Sequence, residues 1–186
     1  MKNELDYNFI NVEGGPIIFG SSERLSFWNG IEGNDYSVLC KKFDESENEL
    51  LLNSSFEGGM VNSWEVRGPG VVYIDKSDNR IQLVKHWISE SADSSKTISD
   101  SFSKSFQCTV SQDSEIEIRE TLIVAWAPEC LRGVPVSVDA PTTPDLDLAV
   151  DQSVLLIPIK SGRYSVETGE LSDESGFAIK LILNRL

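Results

Sequence analysis

The sequence predicts a mainly β protein with minor α content, built of antiparallel sheets in a sandwich-like arrangement. Three observations predict it. Short apolar runs alternate residue by residue with polar ones, the pattern of strands with one face buried. Clusters of Gly, Pro, Asn and Asp punctuate these runs at short intervals, as turns between antiparallel strands do. Helical spacing is found in only two places, near residues 35–43 and 95–105.

The elements follow in order. Residues 7–20 are strand material, with Tyr7, Phe9, Ile10 and Val12 before a break at Gly14-Gly15-Pro16 and Ile17-Ile18-Phe19 after it. Glycine permits positive φ and proline fixes the next turn, so the break bends the backbone between two strands. Asn34 or Asp35 can cap a short helix that places Tyr36, Leu39, Cys40 and Phe43 on one side. That helix should stop near Asp44, where Asp44, Glu45, Glu47 and Glu49 form an acidic connection. Leu50-Leu51-Leu52 resumes as a strand, and Gly58-Gly59 and Gly68-Pro69-Gly70 bracket the segment Val61 to Arg67.

Val71 to Ile74 pairs with Ile81 to Ile88 across Asp75–Asn79, the clearest hairpin signal in the chain. In its second arm Ile81, Leu83, Lys85 and Trp87 share one face, and Gln82, Val84, His86 and Ile88 the other. Neither face is wholly apolar, so a sheet edge is expected for part of this arm. Serine-rich residues 89–105 fit either a helix, with Ile98, Phe102 and Phe106 spaced by four, or a loop joining two halves. The candidate boundary falls here, giving regions 1–104 and 105–186 that can also pack as a single unit. Beyond it, Phe106, Cys108 and Val110 alternate with polar residues, as do Ile116 and Ile118. Thr121–Trp126 is a nearly unbroken apolar strand, Val134, Val136 and Val138 alternate, and 154–157, 163–166 and 177–183 complete the strands.

Thirty acidic against 16 basic residues give a formal net charge of −14. Such a field repels nucleic acid and anionic lipid, and speeds encounter with a basic protein. The N-terminal residues Met1–Asp6 carry acids and no apolar signal core. No run approaches the ~18 apolar residues that span a bilayer, so a cytoplasmic protein is expected. Cys40, Cys108 and Cys130 are odd in number and widely spaced, as reduced, packed thiols are.

No catalytic set can be assembled. His86 is the single histidine, and nothing supplies the nucleophile, base and orienting group that a triad needs. Asp145, Asp147 and Asp151 resemble the start of a calcium loop, but Ala149 and Val150 stand at its fifth and sixth positions, where an acid and a glycine are required. Glu115 and Glu117 alternate with Ile116 and Ile118 as a solvated strand face does. No phosphate-loop motif is present. A binding protein without enzymatic activity, cofactor or metal is the expectation.

Gly14-Gly15-Pro16-Ile17, Trp28 with Gly30, Asp35-Tyr36, Cys40 and the later Leu83-Val84-Lys85-His86-Trp87 together resemble, in order and spacing, the immunity-protein-21 family of bacterial polymorphic toxin systems. The resemblance covers roughly residues 12–95. The chain departs from the family pattern in placing Lys85 and His86 before Trp87, where arginine directly precedes the tryptophan, and in a longer glycine-rich stretch from Glu57 to Gly70. The resemblance implies neutralisation of a cognate toxin domain through a stable complex. The charge adds that the toxin surface should be basic, as a nuclease surface is. Candidate contact residues are Trp28, Asp35, Asp44, Glu45, Glu47 and Glu49. The alternative is a carbohydrate-binding sandwich stacking sugars on Trp64 and Tyr73.

Overall fold

The computed structural model describes residues 7–46, 49–77, 79–88, 94–104, 107–133, 153–173 and 176–186. Glu47, Phe106, the alternating run Val134–Val138 and the acids Asp145, Asp147 and Asp151 lie outside them. In chain order the elements are β1 (Asn8–Val12), β2 (Pro16–Ser21), α1 (Ser22–Leu25), α2 (Asp35–Glu45), β3 (Leu51–Phe56), β4 (Gly59–Glu65), β5 (Gly70–Lys76), β6 (Arg80–Ile88), α3 (Ser94–Ser103), β7 (Gln107–Ile118), β8 (Thr121–Trp126), β9 (Val154–Pro158), β10 (Gly162–Asp173) and β11 (Gly176–Arg185). The fold is mainly β, as the alternation predicts, and the helical spacings near 35–43 and 95–105 correspond to α2 and α3.

Two antiparallel sheets face each other. One has the order β1-β5-β6-β11-β10-β7, the other β3-β4-β2-β8-β9. Alternation decides what enters the space between them. Ile10, Val12, Val72, Ile74, Ile81, Leu83, Ile179, Leu181 and Leu183 come from the first sheet. Ile17, Phe19, Trp64, Leu122, Val124 and Ile157 come from the second, and all are buried. A polar stitch crosses the core: Trp64 Nε1 donates to Thr168 Oγ1 at 3.0 Å, and Thr168 Oγ1 donates to the Lys180 carbonyl at 3.0 Å. The indole N–H would otherwise be stranded in an apolar layer.

Each sheet is also covered on its outer face. Leu25, Trp28, Leu39 and Phe43 pack on Ile18, Val61, Ile123 and Ala125 of the five-stranded sheet. Ile98 and Phe102 of α3 pack on Val84 and Ala178 of the six-stranded sheet and on Tyr7 just before β1, with the Tyr7 and Phe102 rings stacked at 4.6 Å. This double covering is why β2 and β8 carry apolar residues on both faces rather than alternating.

The hairpin of β5 and β6 forms with the register Val72↔Lys85 and Ile74↔Leu83. The expected sheet edge is not found over Ile81–Lys85, which is paired on both sides. The last strand, β11, pairs along the free side of β6, with Ile179↔Lys85 and Leu181↔Leu83, so β6 is interior and Lys85 is fully buried. Likewise β2 pairs with β8. Both sheets therefore combine strands from residues 1–104 and 105–186 around one shared core.

Candidate functional site

Of the residues that carry the family resemblance, Leu83–Trp87 lie in β6 of the six-stranded sheet, while the N-terminal part, Gly14 to Cys40, converges on one corner of the sandwich. The Gly14-Gly15-Pro16 bend, the turn from Trp28 to Asn34, the start of α2 and the segment after β8 meet there. Trp28 anchors the corner from inside: it is fully buried, its Nε1 donates to the Ala127 carbonyl at 2.8 Å, and its ring meets Phe56 edge-on at 5.1 Å. Backbone bonds tie the turn to the segment after β8. Ile31 N–H donates to the Pro128 carbonyl at 2.9 Å, and Leu131 N–H to the Trp28 carbonyl at 2.9 Å. Within the turn, Glu32 N–H donates to Asn29 O and Tyr36 N–H to Gly30 O, both at 3.1 Å.

Gly30 is the tightest point. Its φ is +57°, and a Cβ there would lie 2.1 Å from the Pro128 carbonyl oxygen. Both the dihedral and the space exclude a side chain. Gly30→Ala is expected to lower the unfolding free energy by about 2 kcal/mol or more in a urea melt. An unchanged midpoint would show that this turn is not held as described.

Asp35 pins the same turn. Its Oδ2 accepts from the Asn29 backbone N–H at 2.8 Å and from Asn29 Nδ2 at 3.2 Å. The carboxylate also sits in the first turn of α2, where the helix dipole favours a negative charge. On the adjacent face a Cβ at Gly15 would lie 2.7 Å from the Tyr36 hydroxyl oxygen, so the glycine bend and α2 are in close contact. Trp126 Nε1 closes the corner by donating to the Gly14 carbonyl at 2.7 Å.

Tyr36 and Cys40, one helical turn apart, hydrogen-bond to each other. Burial, followed by that bond and the nearby Cys40 and Glu65, pushes the Tyr36 hydroxyl up to about 12. Burial also pushes the Cys40 thiol up; the Tyr36 bond opposes the rise, and the Glu65 and Asp44 carboxylates add to it. A thiol held protonated at neutral pH is a poor nucleophile. The bond lies within α2, and Tyr36 is the residue through which the helix packs against the glycine bend. Among the described residues no three His, Cys, Asp or Glu side chains gather as metal ligands.

The proposed contact residues therefore divide. Trp28 has no exposed surface and cannot touch a partner; the expectation that it contributes contact area is corrected, because its indole fills the layer between α2 and the sheet. Asp35 is half-buried and supports the turn. Asp44 and Glu45 are exposed on the last turn of α2, with Glu45 3.8 Å from Lys41, and Glu49 is exposed just before β3. Glu47 lies outside the described residues. The sugar-stacking alternative loses Trp64, buried between the sheets, and Tyr73 packs beside Phe9 at 6.4 Å.

Two features escaped the sequence reading. Ile31 is 65% exposed and Val38 45% exposed, on the pinned turn and on α2; the signal available was an isolated isoleucine between Gly30 and Gly33. Two lysines, Lys85 and Lys180, are completely buried. Lys85 Nζ donates to the Val66 carbonyl at 2.7 Å and to the Gly68 carbonyl, and lies 4.7 Å from the Trp87 ring centre. Lys180 Nζ donates to the Ser101 and Phe102 carbonyls at 3.1 and 3.0 Å, capping the C-terminal end of α3 where cations are favoured.

No helix among the described residues is long and apolar enough to cross a membrane. Comparison with protein-family models, with curated proteins and with solved structures found no match.

Proposed function

We propose that this chain is an immunity-type inhibitor. It binds a cognate bacterial toxin domain through a basic surface of that domain and neutralises it in the cytoplasm of the producing cell by forming a stable complex. The observation that carries the reading is the charge: −14 over the chain, with exposed Asp44, Glu45 and Glu49 at the end of α2 and the start of β3. An acidic inhibitor covers a basic surface, competes with the polyanion that surface would bind, and gains association rate from electrostatic steering. The resemblance of Gly14, Gly15, Trp28, Gly30, Asp35, Tyr36, Cys40 and the Leu83–Trp87 run to the immunity-protein-21 family points to the same reading.

The test is co-expression with the C-terminal domain encoded directly upstream, scored by cell survival and co-purification. Rescue with a stable complex is expected; neither rescue nor complex would reject the reading. Replacing Glu45, Glu47 and Glu49 by lysine should slow association about tenfold at low salt and flatten its salt dependence. Unchanged association kinetics would remove this stretch from the interface.

A further inference from the structure

We infer that the partner docks on the outer face of the corner, with Ile31 and Val38 as apolar anchors inside an acidic surround. This deepens the neutralisation reading and rests on it. Large aliphatic side chains exposed singly are ordinary on a protein surface. These two differ in how they are held and in the charge of the chain segment that carries them.

Ile31 sits on a turn that has little freedom. Its own N–H is bonded to Pro128 O, and Asn29 beside it is held by Asp35. Gly30 next to it is wedged against the Pro128 and Glu129 carbonyls. The side chain is thus presented to solvent from a fixed backbone at 65% exposure. Val38 stands on α2, whose opposite side is locked down by the buried Leu39 and Phe43. An anchor already ordered before binding loses little conformational entropy on docking. Buried apolar anchors ringed by polar groups are the usual energetic centre of a protein interface.

Charge selects the occupant. Between Ile31 and Glu49 the sequence has six acids, Glu32, Asp35, Asp44, Glu45, Glu47 and Glu49, against Lys41 and Lys42. That net of −4 over 19 residues is about three times the chain's average density, derived from −14 over 186. The complementary partner is a protein surface with a shallow apolar recess rimmed by lysine and arginine. A second copy of this chain would bring like charges together and is disfavoured.

The two parts of the surface should act on different rate constants. Apolar anchors form short-range contacts and set dissociation; the acids act at a distance and set association. The probe is the upstream-encoded C-terminal domain, immobilised for binding kinetics. The Ile31→Ser/Val38→Ser double variant is expected to dissociate at least tenfold faster with its association rate nearly unchanged. Both side chains are exposed, so the variant should melt at close to the wild-type midpoint. Glu32→Lys in the intact chain should do the reverse, slowing association and leaving dissociation nearly unchanged. If the wild-type complex forms and the double variant dissociates at the wild-type rate, this surface is overturned and the neutralisation reading stands. If the wild-type chain forms no complex, the neutralisation reading falls and takes the surface with it.

Discussion

Trp28→Ala is expected to destabilise the protein by about 3–5 kcal/mol, the range for removing a fully buried large aromatic side chain. The indole occupies the layer between the α2 side of the molecule and the five-stranded sheet, among Leu39, Phe43, Val61 and Ala125. Its removal opens a cavity that neighbours on two rigid elements cannot close. It also leaves the buried Ala127 carbonyl without its 2.8 Å donor, which adds to the cost. Trp28→Phe separates the two effects: most of the ring volume remains and the N–H is lost, so a smaller loss of about 1–3 kcal/mol is expected. Urea melts of both variants provide the measurement. Equal stabilities would show that the hydrogen bond, rather than the ring, dominates; a wild-type midpoint for Trp28→Ala would contradict the burial itself. Under conditions where Trp28→Phe stays folded it should bind the partner with unchanged kinetics, because the side chain shapes the corner from within and touches nothing outside.

Lys85→Ala should cost about 3 kcal/mol or more. It empties the space beside Trp87 and strands the Val66 and Gly68 carbonyls that Lys85 satisfies. The loop between β4 and β5 depends on this contact. Arg67 there has φ +49° and Gly68 φ +93°, a conformation that needs external support. Lys85→Met retains the stem volume and removes the charge, and it isolates a pH effect. Burial pushes the Lys85 amine down from 10.5 to about 8, with the Glu65 carboxylate opposing the shift. Between about 8 and 10.5 the unfolded chain holds a proton on this amine that the folded protein has released. Unfolding then takes up a proton, so raising the pH through this window stabilises the fold, and lowering it through 8 removes that contribution. The wild type should gain stability relative to Lys85→Met from pH 8 to 10.5. Tyr36 and Cys40, both pushed upward, act with the opposite sign and are common to both proteins, so they cancel in the comparison. Parallel pH profiles for the two proteins would rule the effect out.

Much of the secondary structure was legible from residue spacing. The hairpin read between Val71–Ile74 and Ile81–Ile88 forms, with Val72–Lys76 paired to Ile81–Lys85 and a shorter turn than the residues Asp75–Asn79 indicate. Tyr36, Leu39, Cys40 and Phe43 carry the helical period that becomes α2, and Gly14-Gly15-Pro16 marks a real bend between β1 and β2. The acids of the α2 end were visible as a run, and Asp44, Glu45 and Glu49 are exposed as their type suggests. Trp28 was the weakest choice among the contact residues. Its polar and glycine neighbours form the turn that folds its ring inward.

By itself the sequence determined a mainly β chain with two amphipathic helical stretches, a strong negative charge and a glycine bend. Each of these follows from local periodicity, backbone freedom or a count of charges. Only the tertiary structure decided that β6 lies at the centre of a sheet, that Lys85 and Lys180 are buried as internal caps, and that Ile31 stands in solvent. Periodicity tells which side of a strand or helix is apolar; it does not tell what will cover the other side. For β6 the covering strand is β11, which comes from the far end of the chain, and Lys85, read locally as the mark of an exposed edge, is instead enclosed where the carbonyls of Val66 and Gly68 accept its protons.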